Sequence, residues 1–444
     1  MLHCRNGRRD SLSIRARIVD PGQRLDVQGT VTVEDGIVTA VEPGIAAPAG
    51  LVLAPAFVDP HVHLRTPGRE DEETIASGTA AAAAGGYCAI VAMPNTEPVV
   101  DTAPVLQSLI ERARDEAVVP TGFTAAISKG QRGEELTEMA ELAAVGALAF
   151  TDDGKPVASA QLMRRALAFT DDGRPVSSAG LMRRALAYSA VAGRPLALHC
   201  EEPTLTQGGH MHEGAVSAEL GLGGWPSVAE TVMVERDLAL AAFEGRPVHL
   251  QHLSARGSVD AVRRARLGGV AVSAEASPHH LCATDERVRS LDPNLKMNPP
   301  LRTEDDRQAL VEALLDGTID CVATDHAPHA RQEKDVPFEE APFGVTGLET
   351  AFAALHTHLV REGELPLDTL LERMSAGPAR ALGLPVPRIA VGEPANLVLL
   401  DLDAEWTVHE DAFRSRSVNS WLLGQNLVGA VVKTVADGRV VFGA

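Results

Sequence analysis

Eight short β-like runs alternate with helix-forming stretches through the middle of this chain, and that alternation limits its fold more than any other feature. The runs are AFVDPHVH, YCAIVAMPN, TGFTAAIS, GALAFTDDG, PLALHCE, PVHLQHLS, GVAVSAEASP and DCVATDHAPH. The segments between them, such as ETIASGTAAAAAGG and DRQALVEALLDG, have helix-forming composition with glycine near the end. Eight strand–helix units predict an α/β chain organised as a (β/α)8 TIM barrel. The ends read differently. SIRARIVD and TVTVEDGIVTAVEPG alternate apolar and polar residues around a Glu-Asp-Gly turn, and ANLVLLDLD with LVGAVVKTVADGRVVFG repeats the pattern around Asp-Gly. Residues 1–53 and 386–444 are therefore expected to pair into one small β-sandwich, with residues 54–385 as the barrel.

One stretch breaks the pattern. Residues 147–165 (ALAFTDDGKPVASAQLMRR) are followed at once by residues 166–184 (ALAFTDDGRPVSSAGLMRR), which differ only at Lys155/Arg174, Ala158/Ser177 and Gln161/Gly180. There is no third copy, so this is a local duplication rather than a solenoid. An eight-stranded barrel has room for one copy in that slot.

A formal net charge of −20 argues against binding to nucleic acid or to an anionic membrane surface. No apolar run reaches the roughly 18 residues of a membrane span, and the N-terminus lacks the apolar core of a secretory signal. The five cysteines show no CxxC spacing and read as reduced thiols. A cytoplasmic protein is expected.

His61 and His63 stand at the end of the first barrel run. Residues i and i+2 of a strand share a face, so both imidazoles can converge on one ion. Two other His-x-His pairs serve as controls. His356 and His358 lie in a helix-like segment where i and i+2 diverge, and His210 and His212 lie in a Gly-rich loop. Further candidates end other strands: Asp153 or Asp172 on the fourth, His199 on the fifth, His252 on the sixth and Asp325 on the eighth. In this fold those strand ends form the active-site face. Histidine and carboxylate without cysteine suit zinc, with manganese or cobalt as substitutes. Four histidines and two aspartates exceed what one open tetrahedral ion needs, so two ions are expected.

Together, FVDPHVHLRTPGREDEETIASGTAAAAAGGY, AMPNT, FTDDG, SPHHL, NPPLR and ATDHAPH resemble the class I bacterial dihydroorotases of the amidohydrolase superfamily, over essentially the whole chain. The resemblance implies one ion held by His61, His63 and Asp325, a second by His199 and His252, and a bridging strand-four aspartate. It implies substrate contacts from His63, Leu64 and Arg65 in HLR, Asn95 in MPNT, Asn298 in NPPLR, His329 in DHAPH, and the Phe343–Gly344 backbone. It also implies Asp325 as the acid–base group in reversible cyclisation of N-carbamoyl-L-aspartate to dihydroorotate, a step of pyrimidine biosynthesis. His279 and His280 are read as structural rather than ligating. Thr66-Pro67-Gly68 stands where members often carry Glu-Pro-Gly, and Ser277 where Thr is usual.

For the bridging carboxylate, Asp153 fits the family spacing counted from Asn95, and Asp172 fits it counted back from His199. Copy one follows its own helix and Gly146, whereas copy two follows Arg165 with no turn residue. Asp153 is therefore preferred, with Asp172 as the alternative.

Two rivals are a hydantoinase or allantoinase and a noncatalytic relative that scaffolds aspartate transcarbamoylase. The first commonly bridges its ions with a carboxylated strand-four lysine, and ALAFTDDG has none. The second should have lost ligands, and none is missing. A homo-oligomer or association with aspartate transcarbamoylase is compatible with the resemblance. Residues 329–343 read as a mobile lid or a solvated loop.

Overall fold

The computed structural model describes residues 1–44, 46–153 and 178–443. Parallel pairing links Phe57–Val62, Tyr87–Ala92 and Thr121–Phe123 into one arc, and Leu196–Leu198, Val248–Leu250, Val272–Ala276 and Cys321–Val322 into another. Two seams close them into a barrel. Phe150 bridges Ala125 on one side and Leu196 on the other, and Val62 pairs with His326. The fourth strand is thus reduced to a single bridging residue, although Phe150 itself is fully buried in the barrel core. Burial of such a side chain contributes roughly 3 kcal/mol, enough to seat a strand this short.

Asp59 strengthens the other seam. Its carboxylate accepts hydrogen bonds from the Thr324 hydroxyl at 2.5 Å, the Thr324 amide at 3.2 Å and the His61 amide at 3.1 Å. Full burial pushes its pKa up to about 7.

Each strand is followed by a helix, from Ile75–Ala84, capped by Thr74 and Ser77, to Ala351–Leu355 after the eighth. The duplication is divided between two elements. The strand-four residue Phe150 belongs to copy one, whereas the next described helix, Ala179–Ala192, begins in copy two. Asp172 lies outside the described residues, as do Lys155, Arg174, Ala158 and Ser177.

The chain ends form one seven-stranded sheet in the order Arg439–Phe442, Asn426–Ala436, Leu397–Thr407, Leu51–Pro55, Leu12–Asp20, Leu25–Glu34, Ile37–Pro43. Leu51–Pro55 joins the halves, pairing parallel with Leu12–Asp20 and antiparallel with Leu397–Thr407. Period-two alternation splits these strands between two cores. Ile18, Leu53, Leu397, Leu399 and Val435 pack within the sandwich, while Val19, Val52, Ala54, Val398, Leu400 and Ala436 pack on the barrel. Both Asp-Gly turns form as expected, with positive φ at Asp35 and Gly36 and at Asp437 and Gly438.

One expected loop is corrected. Met211–His212 forms a short parallel pair with Gly224–Trp225, and His212 Nδ1 faces the Arg302 guanidinium at 3.3 Å. Arg302 also donates to Trp225 O at 2.7 Å, so this buried cation supplies the order that glycine-rich sequence alone does not suggest. No helix among the described residues is long and apolar enough to cross a membrane.

Candidate metal centre

Side chains from five strand ends meet at one mouth of the barrel, around the carboxylate of Asp153. Its Oδ2 lies 3.1 Å from His61 Nε2 and 3.4 Å from His63 Nε2, and its Oδ1 lies 3.2 Å from both His199 Nδ1 and His252 Nε2. Asp325 Oδ1 faces the same two imidazoles of strand one, 3.1 Å from His63 Nε2 and 3.5 Å from His61 Nε2. One carboxylate therefore stands between two pairs of histidines, and a second caps one pair. All six residues are buried.

The outward nitrogens of three of these four rings are tied down, which orients the inward ones, while His252 Nδ1 has no partner among the described residues. His61 Nδ1 donates to Glu275 Oε1 at 2.8 Å, and His63 Nδ1 donates to Asn95 Oδ1 at 2.7 Å. His199 Nε2 donates to Glu201 Oε2 at 3.1 Å. Glu275 is the hub beneath the site. It also accepts from His249 Nε2 at 2.8 Å and from the His252 amide at 3.3 Å, and these partners outweigh burial to hold it at about 2. Arg65, His252 and Asp325 all have positive φ, at 55°, 30° and 48°. Three non-glycine residues in that strained region at one rim aim side chains where regular strand geometry would not.

The electrostatics call for cations. Burial favours neutral groups here, yet the surrounding imidazoles hold both Asp153 and Asp325 well below the usual carboxylate range. In return, Asp153 and its neighbours raise His61 well above its ordinary value and His199 to about 10, against burial. His199 Nδ1 and His252 Nε2 approach to 3.0 Å while facing the same Asp153 oxygen, an arrangement two lone pairs tolerate only with a cation or proton between them. Nitrogen and carboxylate donors without sulfur fit zinc or a similar divalent ion.

Metal uptake by metal-free protein at pH 7 is accordingly expected to release protons from His61 and His199, and affinity should rise with pH. Titration calorimetry in buffers of different ionisation enthalpy measures this; a buffer-independent heat would contradict it. Glu275→Gln is expected to weaken metal affinity by about 10–100-fold, since a neutral amide orients His61 less firmly. Competition against a chromogenic chelator reads that change.

The expected substrate residues gather beside this centre. Arg65 is 3% exposed; its Nε donates to Pro328 O at 3.1 Å and lies 3.1 Å from Glu72 Oε2. Its two terminal nitrogens make no hydrogen bond to the described residues, leaving a fork for an anion. Asn298 donates to Glu201 Oε2 at 3.2 Å, while its buried Oδ1 has no partner among the described residues. His329 Nε2 donates to Phe343 O at 2.8 Å, which brings Phe343 and Gly344 alongside strand eight. Leu64 is buried against the helix Ile75–Ala84, where its Cδ2 lies 2.5 Å from the Cβ position of Gly78.

Other readings are sorted by the same geometry. Asp152, neighbour of Asp153, binds the Ile127 and Ser128 amides at 2.8 and 2.9 Å and so ties strand four to the loop after strand three. His280 Nε2 donates to Pro299 O at 2.9 Å, and His279 is buried beside it. His356 Nδ1 donates to Val428 O at 2.8 Å, away from the centre. Residues 329–343 are in part the solvated loop expected, with Arg331, Gln332, Asp335, Pro337, Glu339 and Glu340 exposed, but Arg331–Lys334 is helical and Phe338 and Lys334 are buried. Glu275, Glu201 and Gln251 were not anticipated. The one available signal was a charged residue interrupting an apolar strand, as in VAVSAEA.

Comparison with known proteins agrees in kind. Residues 52–441 match the amidohydrolase family. The chain is 42% identical over 436 residues to a dihydroorotase of Citrifermentans bemidjiense, covering 96% of this chain and 98% of that protein. It is 44% identical over 435 residues to a dihydroorotase of Anaeromyxobacter dehalogenans, covering 96% of each. Among solved structures, an L-hydantoinase of Arthrobacter aurescens superposes with TM-score 0.83 at 24% identity, over 99% of this chain and 96% of that one. A dihydropyrimidinase of Brevibacillus agri superposes with TM-score 0.76 at 22% identity, over 99% and 95%. At such identities the last two show the barrel-plus-sandwich fold alone.

Proposed function

Since the chain belongs to the amidohydrolase family and, within it, to the dihydroorotases, we propose that it interconverts N-carbamoyl-L-aspartate and dihydroorotate, the ring-closing step of pyrimidine synthesis. The observation that carries the substrate assignment is Arg65, a buried guanidinium two residues beyond His63 whose terminal nitrogens make no hydrogen bond among the described residues. Dihydroorotate carries a carboxylate that such a fork binds with two parallel hydrogen bonds, whereas hydantoin and allantoin carry none.

His61, His63 and Asp325 would hold one zinc ion and His199 and His252 another, with Asp153 shared between them. When bound, the ions supply Lewis acidity toward the ring carbonyl and lower the pKa of the attacking water. The chain's own groups do the rest. Arg65 fixes the substrate carboxylate, and the amides of Asn95 and Asn298 offer donors and acceptors to the ring. Asp325 takes the proton of the attacking water and delivers it to the departing ring nitrogen; in ring closure it runs the same path in reverse. Its Oδ1 is engaged by His63, and its Oδ2 has no hydrogen-bond partner among the described residues, leaving one oxygen for the proton. Asp325 is held anionic across neutral pH, as a base requires. All five cysteines are free, as suits a reducing cytoplasm.

Side-by-side assays on dihydroorotate, hydantoin and allantoin test the assignment. Turnover of dihydroorotate well above both others is expected. Preference for either neutral ring would overturn it.

A further inference from the structure

Two of the chain's five lysines, Lys296 and Lys334, are buried against one segment beside the substrate pocket. Lys296 Nζ donates to the carbonyls of Phe338 at 2.9 Å and Glu339 at 3.0 Å, and its ammonium sits 4.8 Å from the Phe343 ring centre. Lys334 Nζ donates to the carbonyl of Pro342 at 2.7 Å and to that of Pro293 at 3.1 Å. The Gly344 amide donates back to Lys296 O at 2.9 Å. Among the described residues neither amine is paired with a carboxylate. Burial lowers Lys296 to about 8 and Lys334 to about 7.

Burying two unpaired amines is costly, and apolar side chains of equal volume would fill the space more stably. What the lysines add is a hold on three carbonyls of one irregular segment. That segment ends at Phe343, whose carbonyl meets His329, and at Gly344, where φ is 125°. A Cβ on Gly344 would stand 2.8 Å from Ala327 Cβ and 3.0 Å from His329 Nε2, so the backbone passes directly against the substrate side of strand eight. Lys296 also lies two residues before Asn298, so one side chain links two walls of the pocket.

We propose that Lys296 and Lys334 are positioning residues that clamp segment 337–344, so that Phe343 and Gly344 form a preset wall of the substrate pocket. The substrate named in the test rests on the dihydroorotase reading; the clamp itself rests on the contacts above. Lys296→Met and Lys334→Met keep most of the buried volume and remove the donors. Each is expected to raise KM for dihydroorotate by about tenfold or more, with kcat within about threefold and bound metal unchanged. Amide hydrogen exchange of residues 338–344 should accelerate in both variants. Unchanged KM and unchanged exchange would overturn the clamp, as would parallel loss of kcat and metal, which marks a general structural role. Should either methionine variant fail to fold, Lys334→Gln, which keeps one donor, is expected to show an intermediate KM; a KM equal to the unsubstituted protein's would overturn the clamp. If the unsubstituted protein does not turn over dihydroorotate, the functional reading fails, while the exchange measurement still decides the clamp.

Discussion

Asp153→Ala is expected to lose bound metal and to lower turnover by about 10³-fold or more, roughly 4 kcal/mol of barrier, whereas Asp172→Ala should retain both. The reason is geometric. Each oxygen of Asp153 faces two histidines, and removing the carboxylate leaves the two histidine pairs with no shared anion, Asp325 facing His61 and His63 alone. The residues ALAFTDDG occur identically in both copies of the duplication, so either could in principle occupy the strand-four position. Copy one occupies it, because Phe150 bridges both neighbouring strands. A chain lacking residues 154–172 still contains one complete copy and is expected to keep its metal and its activity. Loss confined to Asp172→Ala would mean that copy two lines the barrel instead. Metal analysis of the two variants, alongside their turnover, separates these outcomes.

Asp325→Asn is expected to keep its metal yet lose about 10²–10⁴-fold in kcat, the usual contribution of a positioned acid–base group. An asparagine oxygen can still face His63 and His61, so the centre stays assembled, but the amide cannot accept and return a proton. The burden falls on kcat because Asp325 acts on the proton in flight rather than on the carboxylate of the bound substrate. The neutral residue also removes a charge from a cluster that pairs anions against imidazoles, so metal content must be measured on the same sample. Near-normal turnover with metal bound would show that another group carries the proton.

Much of this site could be read from residues alone because the fold is periodic where the chemistry is. His61 and His63 share a strand face, and His199, His252 and Asp325 fall at equivalent positions in successive strand–helix units, so counting units locates the rim. Orienting groups are less visible. Glu275 interrupts an apolar strand and meets His61, which is 214 residues away, only once the barrel closes. Gln251 likewise meets His61 and Thr151 from other strands, whereas Glu201 stands two residues from its partner His199. Residues 329–343 are only partly legible, for a related reason. Their polar, proline-marked sequence suggests a solvated loop, but Lys296 and Lys334 convert backbone carbonyls into internal partners. Strand four is legible although Phe150 alone pairs among the described residues, since its apolar run is followed by the carboxylate that the four imidazoles require.

The central claim, that six residues from five strand ends hold metal ions for opening and closing a carboxylate-bearing cyclic amide, is tested most directly by dihydroorotate turnover measured with metal stoichiometry. The prediction is turnover with about two divalent ions per chain, lost on chelation and restored by zinc. Purified protein that binds no divalent metal and stays inactive after zinc is added, or turnover that survives complete removal of metal, would contradict it.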